Sequence, residues 1–309
     1  MNKDLSIIII NYNSHTDINR CFESINSNIS GIDYEIIVVD NNSTDRGVLS
    51  LKRNHESIKL FLLESNYGFG IACNYGANNA RGKYLVFVNP DTIFRDNCLK
   101  EMFDFMECKE DAAICSPSFI YPDGNLGYVF NNFPNITWEL YDFFGKGYYI
   151  RINKLNRMLV SAAESRKPLK VDWVTAACLM IRKEVFDKVK GFDKDYFLYF
   201  EDVDIQKRIS DTGLNIYCLP YLKVVHITNT STKSNNDDSV YYYNINKSRL
   251  IYHRKHSGAF KRSFVKYLHI CGFYLRLYSL NLRKRYSDNK NMKLLQYKKI
   301  INYYRTGFE

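Results

Sequence analysis

Four short, nearly continuous apolar runs in the first 90 residues constrain this chain more than any other feature: Leu5–Ile10, Tyr34–Val39, Ile58–Leu63 and Tyr84–Val88. Runs that are apolar throughout, rather than at alternate positions, mark strands covered on both faces. The segments between them carry helical spacing. Ile18, Cys21, Phe22 and Ile25 share one face, with Ser14 or Thr16 as the cap, and Leu49 lies in a short second helix. Gly70–Ala80 is small and apolar at helical intervals and ends at Arg81-Gly82. This βαβαβαβ alternation predicts an α/β fold with a mostly parallel, doubly wound sheet, although strand order is not legible. Ligands of such sheets lie beyond the carboxyl ends of the strands. The polar residues that follow each run are therefore the ones to examine: Asn11-Tyr12-Asn13, Asp40–Asp45 and Asn89-Pro90-Asp91. Gly68 and Gly70 allow the backbone to bend and approach a ligand closely. On position alone, Asp91 is expected to bind a metal-diphosphate.

Farther along, Cys98–Glu107 reads as a helix and Ala112–Ser116 as a strand. Residues 121–168 lack periodicity and read as a loop-rich insertion with one helix near 150–163. Val171–Thr175 and Cys178–Ile181 are strands, and Glu201–Thr212 is an amphipathic helix closed by Gly213. Ile216–Leu219 and Lys223–His226 follow as two strands. The expected domains are a catalytic region at 1–239, with a nucleotide-binding half at 1–120 and an acceptor half at 121–239, and a basic helical region at 240–309.

The net charge of +10 is concentrated in that last region, which holds 16 Lys and Arg against 2 acids, while residues 1–239 are net −4. Such asymmetry points to an anionic surface as partner. Phe264, Leu268, Cys271, Leu275, Tyr278 and Leu282 form an apolar stripe, with Lys261, Arg262, Lys266, Arg276 and Arg283-Lys284-Arg285 around it. Three uses stand open: packing on the catalytic body with a solvated basic face, an interfacial helix over 260–286 on anionic membrane, or a dimer seam. No recognition motif for nucleic acid accompanies it. Eight cysteines without a CxxC pair argue against a zinc or disulfide framework and fit a reducing compartment. Ile7–Ile10 is too short for a signal peptide, and no window nears about 18 uninterrupted apolar residues. The expected location is cytoplasmic, with peripheral attachment to the inner face of the membrane if the tail meets lipid.

Four segments, SIIIINYNS (6–14), VVDNNSTD (38–45), NYGFGIACNYGANNARGKYLVFVNPD (66–91) and DWVTAACLMIRKEVFDKVKGFDKDYFLYFEDVDIQKRI (172–209), resemble in order the family 2 inverting glycosyltransferases with the GT-A fold. The resemblance spans most of residues 5–232. NPD in place of Asp-x-Asp, together with FLYFEDVD, resembles the rhamnosyltransferase-like branch. That branch uses dTDP-rhamnose to extend bacterial surface polysaccharides. The resemblance implies a nucleotide-sugar donor, a saccharide or lipid-linked oligosaccharide acceptor, and Mg²⁺ or Mn²⁺.

Carried onto this chain, the resemblance gives Asp91 and His226 as metal ligands and Asp202 as the base that takes the acceptor hydroxyl's proton. Asn89 is a poorer, neutral ligand than the Asp it replaces, so the diphosphate is expected to supply much of the metal's affinity. Glu201 is expected to orient the acceptor or the base, and simple N-capping is the bland alternative for Asp202. Asp40 matches the acid that binds the base or ribose, beside Tyr12 and Asn13. Asn66, Gly68 and Asn74 are expected to line the ribose-diphosphate, with Arg81 facing phosphate. Trp173 is read either as a platform for acceptor sugar or as a core residue. A dinucleotide-binding dehydrogenase explains Gly68, Gly70 and Asp91 but fails at Cys73, where its third glycine belongs. A UDP-hexose donor and a non-catalytic sugar- or nucleotide-binding module remain as alternatives.

Overall fold

The structure, a computed structural model, describes residues 3–45, 47–127, 129–144, 157–227, 238–282 and 288–307. The strands are β1 (Lys3–Asn11), β2 (Tyr34–Asp40), β3 (Lys59–Leu62), β4 (Gly82–Val88), β5 (Thr92–Ile93), β6 (Ala112–Ile120), β7 (Phe130–Asn131), β8 (Leu169–Val171), β9 (Trp173–Val174), β10 (Cys178–Arg182) and β11 (Asn215–His226). The helices are α1 (His15–Asn28), α2 (Gly47–Asn54), α3 (Phe69–Asn78), α4 (Cys98–Cys108), α5 (Ile136–Phe143), α6 (157–164), α7 (Lys183–Lys188), α8 (Glu201–Ser210), α9 (Asp238–His256), α10 (Ala259–Leu282) and α11 (Asp288–Thr306).

Two compact units divide these elements. The first comprises residues 1–133, 153–194 and 201–234, and the second residues 134–152, 195–200 and 235–309. In the first, a nine-stranded sheet runs β3-β2-β1-β4-β10-β6-β11-β5, with β8 also on β11. β1, β2, β3 and β4 are mutually parallel, whereas β10 runs antiparallel to β4 and β6. From β1 the chain builds outward through β2 and β3 on one side, then crosses to β4 on the other. The topological switch point thus falls between β1 and β4, where a doubly wound sheet opens a crevice. Asn11–Asn13 and Asn89–Asp91 follow the carboxyl ends of these two strands.

The apolar runs are buried as their composition requires: Leu5, Ile7, Ile8 and Ile9 are wholly inaccessible. Close approach of elements makes glycine necessary at two places. A Cβ on Gly76 would stand 2.6 Å from Ile8 Cγ2, and one on Gly82 would collide with the backbone of Ser6. β3 departs from the pattern of its run. It lies at the sheet edge, and Leu62 is exposed. The two strands expected over 216–226 are one strand, β11, whose register against β6 shifts between Leu219 and Lys223. Pro220 has no N–H to give to the ladder, and Ser118 Oγ bridges the irregularity by donating to the carbonyls of Pro220 and Leu222. Residues 171–175 do not form one strand: β8 pairs with β11, while β9 pairs with β7 in a separate two-stranded sheet.

In the second unit, α9, α10 and α11 enclose Leu250, Phe273, Ile300, Ile301 and Tyr304. α10 buries Val265, His269, Gly272 and Phe273, not the expected stripe; Leu275 and Tyr278 are exposed. The buried face is chosen by features that hydrophobic periodicity does not count. His269 Nε2 donates to Glu139 Oε2 (2.7 Å), and Gly272 admits the ring of Phe143. Leu282's side chain and Arg283–Arg285 lie outside the described residues.

Candidate active site

The Asn89–Asp91 turn is held from below. Asn89 N–H donates to the Ala177 carbonyl (2.9 Å), as does Thr92 Oγ1 (3.1 Å). β5 then pairs with the end of β11 so that Thr92 faces His226, and Ile227 N–H donates to the Asp91 carbonyl (3.0 Å). The result places His226 Nε2 3.1 Å from Asp91 Oδ1, with both side chains mostly buried but not sealed. Phe119 stacks obliquely on the imidazole. Residues 135 positions apart become a two-donor set through a strand of only two residues.

α8 brings the second group. Asp202 is half-buried, and its carboxylate accepts from Val203 N–H (2.8 Å) and Ala176 N–H (3.4 Å). Removal from water pushes its carboxyl up to about 6, against the pull of those two N–H donors. Ala176 and Ala177 are consecutive, so one peptide segment holds both Asp202 and the Asn89–Asp91 turn. Gln206 pins that segment to the helix. Its side chain accepts from Val174 N–H (2.8 Å) and donates to the Val174 carbonyl (2.6 Å) and the Asp202 carbonyl (2.9 Å). Tyr199 and Phe200, directly before the helix, both have φ of +68°. This left-handed backbone costs a non-glycine residue about 1–3 kcal/mol and clusters at sites that must aim a side chain. Glu201 points inward and is buried, with its carboxyl raised well above the usual range by burial and then by the charge of Asp202. Asp204 is fully buried and grips Arg208, whose guanidinium donates onward to the carbonyls of Val189 and Gly191. Its role is to hold the α7–α8 connection.

At the end of β2, Asp40 stands in register with Asn11. Asp40 Oδ1 accepts from Asn11 Nδ2 (2.7 Å) and Ser43 Oγ (2.6 Å), and Oδ2 from Ser43 N–H (3.0 Å). Asn13, at φ +53°, accepts from Thr44 N–H (2.8 Å), while Tyr12 remains exposed beside it. Asn41 ties the next loop: it donates to Asn66 Oδ1 (2.9 Å) and the Gly68 carbonyl (3.2 Å) and accepts from Tyr67 N–H (3.0 Å). Gly68, at φ +88°, turns this loop into α3.

Two of these groups lie at the carboxyl ends of parallel strands around a switch point, and the third, at the start of α8, is tied to the segment just before β10. Residues 6–190 match the profile described as glycosyl transferase family 2. The chain belongs to glycosyl transferase family 2. This glycosyltransferase is similar to the rhamnosyltransferase WbbL of Escherichia coli K12, at 26% identity over 74% of this chain and 85% of that protein. It is 24% identical to the N-acetylglucosaminyl-diphospho-decaprenol L-rhamnosyltransferase of Mycobacterium tuberculosis, over 72% of this chain and 75% of that one. To the dTDP-rhamnosyl transferase RfbF of Shigella flexneri it is 25% identical, over 73% and 70%. Among solved structures, GalNAc-T7 with UDP, GalNAc and Mn²⁺ aligns with a TM-score of 0.59 at 13% identity, covering 98% of this chain and 56% of that one. That likeness bears out the GT-A type of fold.

Three sequence-predicted residues of the glycosyltransferase sit elsewhere. Arg81 precedes β4, at the opposite end of that strand from Asp91, and pairs with Glu35 (3.4 Å). This placement lies away from the expected phosphate contact, since seven strand residues (about 3.3 Å each) separate the two ends. Asn74 spends its amide on Phe192, donating to the carbonyl (2.7 Å) and accepting from the N–H (2.8 Å). It fastens α3 rather than lining a cleft. Trp173 is buried, its indole N–H on the Asn132 carbonyl (3.0 Å), which is the core alternative. Conversely, Ala176 and Gln206 escaped the sequence reading, and Asn11 and Asn41 were given no role of their own in it. Asn11 and Asn41 sat in quoted motifs, but only strand register shows what they hold. Gln206 looked like an ordinary polar helix residue.

As a metal centre the site offers two protein donors. Among the described residues no group of three or more His, Cys, Asp or Glu is arranged to hold an ion. One carboxylate and one imidazole fit a divalent cation whose other positions are filled by substrate phosphate and water.

Proposed function

We propose that the protein is an inverting glycosyltransferase that moves L-rhamnose from dTDP-rhamnose to a saccharide or lipid-linked oligosaccharide in bacterial surface polysaccharide synthesis. The observation that carries this reading is the Ala176–Ala177 segment, which holds a candidate base and a candidate cation pair on consecutive residues. Asp202 takes the proton of the acceptor hydroxyl as its oxygen attacks the anomeric carbon, and the bond to the diphosphate breaks with its electron pair on phosphate oxygen. Asp91 and His226 would hold Mg²⁺ or Mn²⁺, which when bound would supply charge stabilisation to that leaving group. Asn11, Asp40, Asn13 and Tyr12 form the wall for the base and ribose, and Asn66–Gly68 the turn beside it. The names of the similar proteins favour rhamnose as the sugar and a diphospho-lipid as one acceptor class.

The test is transfer or donor hydrolysis across dTDP-rhamnose, UDP-galactose, UDP-glucose and UDP-N-acetylglucosamine, with divalent cation and with chelator. Cation-dependent release of dTDP is expected. Release of UDP alone would move the donor to a UDP-hexose, and no turnover with retained nucleotide binding would leave a binding module.

The tail's partner in this reading is anionic lipid on the cytoplasmic face. Phe260, Tyr267, Tyr274, Leu275 and Tyr278 are exposed and fall on one face of α10. That helix contains no acid, and residues 240–309 are net +14, so a second copy would be repelled where anionic lipid is attracted. No described helix is long and apolar enough to cross a membrane. Flotation with phosphatidylglycerol vesicles but not phosphatidylcholine vesicles, lost on replacing Tyr267, Leu275 and Tyr278 by Ser, is the expected result.

A further inference from the structure

Glu201 and Asp202 are adjacent carboxylates in opposite settings. Asp202 is partly buried, and its carboxylate accepts from two backbone donors. Glu201 is 5% exposed, and its Oε2 is buried without a hydrogen-bond partner among the described residues. Among the described residues, the groups around it offer no cation that pairs with it. On α3, a Cβ added to Gly70 would stand 3.5 Å from Glu201 Cβ and 3.1 Å from Phe192 Cβ, and the buried Cys73 thiol lies within electrostatic range of Glu201. On its own helix it faces Asp202 and Asp204, and the guanidinium of Arg208 is already engaged by Asp204. An ionised carboxylate in that position would be buried, unpaired and beside a second negative charge, each of which is costly. A neutral acid meets none of these penalties.

We infer that Glu201 is a positioning residue that works uncharged, filling the space beneath the first turn of α3 and leaving Asp202 as the single negative charge of the pair. This rests on the reading of Asp202 as the base. Glu201 then touches neither acceptor nor cation: it sets where the Gly68–Gly70 turn sits relative to Asp202 and spares Asp202 a neighbouring charge.

The experiment compares wild type with Glu201→Gln, a neutral isostere, and with Asp202→Asn. Donor turnover is followed across pH, and infrared difference spectra are taken between wild type and Glu201→Gln. The expected result is that Glu201→Gln keeps kcat within about threefold, that the acid limb of kcat/KM stays near pH 6, and that the spectrum loses a protonated-carboxyl C=O band. A charged Glu201 would give other outcomes, any of which overturns the inference: kcat as low as in Asp202→Asn, an acid limb displaced to lower pH, or loss of an ionised-carboxylate band at neutral pH. The infrared measurement needs no turnover. It decides the state of Glu201 even if the transferase reading fails on wild type.

Discussion

Replacing Asp202 by Asn tests the centre of the mechanism at little cost to the fold. Asn keeps an oxygen for the Val203 N–H, the shorter bond at 2.8 Å, and places an NH₂ where Oδ2 accepted from Ala176 N–H at 3.4 Å. A bond that long contributes at most about 1 kcal/mol, so the thermal midpoint moves by only a few degrees. Catalysis loses its proton acceptor, a loss of about 10²–10⁴-fold in kcat. The wild-type pH profile supplies the second half of the test. With the Asp202 carboxyl at about 6, the base is ionised above that pH and protonated below it, so kcat/KM falls about tenfold per unit on the acid side. The assay is release of nucleoside diphosphate from the donor identified in the panel, from pH 5 to 8. A folded Asp202→Asn enzyme with more than about one tenth of wild-type kcat would refute the assignment. So would a wild-type profile that is flat through pH 6.

Chelation is expected to abolish transfer and readdition of Mg²⁺ or Mn²⁺ to restore it. His226→Ala, which leaves Asp91 as the lone protein donor, shifts the cation titration to higher concentration in the same assay. Arg81→Ala leaves kcat and donor KM unchanged, since Arg81 lies at the amino end of the sheet; a rise in donor KM would contradict that placement. Glu139→Gln destabilises the second unit by about 3 kcal/mol or more in thermal or urea unfolding, because Arg249, His253 and His269 lose the buried carboxylate they share. The same unit should lose stability in acid. Burial and then the neighbouring Arg249 push the His269 imidazole down, so its contribution begins to fall once the unfolded chain takes up a proton, below about pH 6.5. Burial opposes ionisation of Glu139, but Arg249, His253 and His269 prevail and hold its carboxyl well below the usual range. That contribution is full above the unfolded carboxyl value, about 4.3, and is lost as pH falls further. Unfolding midpoints across a series from about pH 8 to about pH 3 check the order.

Local chemistry alone determined much of this protein. Continuous apolar runs can be buried only on both faces of a sheet, and their alternation with amphipathic segments leaves little but a doubly wound α/β fold. Polar residues that end those runs had to lie at the carboxyl edge, so the places of Asp91, Asp40 and Asn13 in the sheet were legible without any contact in view. The failures share a cause. Periodicity reports which face of an element is apolar, but not which end of a strand a residue occupies after the sheet is assembled, and Arg81 was misread for that reason. Nor does it report side chains that serve the backbone of distant segments, as Asn74 does for Phe192 and Gln206 for Val174. In α10 the buried face was fixed by His269, which needs Glu139, and by Gly272, which admits Phe143; neither registers as hydrophobic. Tertiary structure also gave the two carboxylates of the Glu201-Asp202 pair different settings, Glu201 buried with an unpartnered oxygen and Asp202 partly buried and held by two backbone N–H groups. Adjacent residues of the same chemistry look equivalent in a sequence. Only the packing of α8 beneath α3 decides which of them keeps its charge.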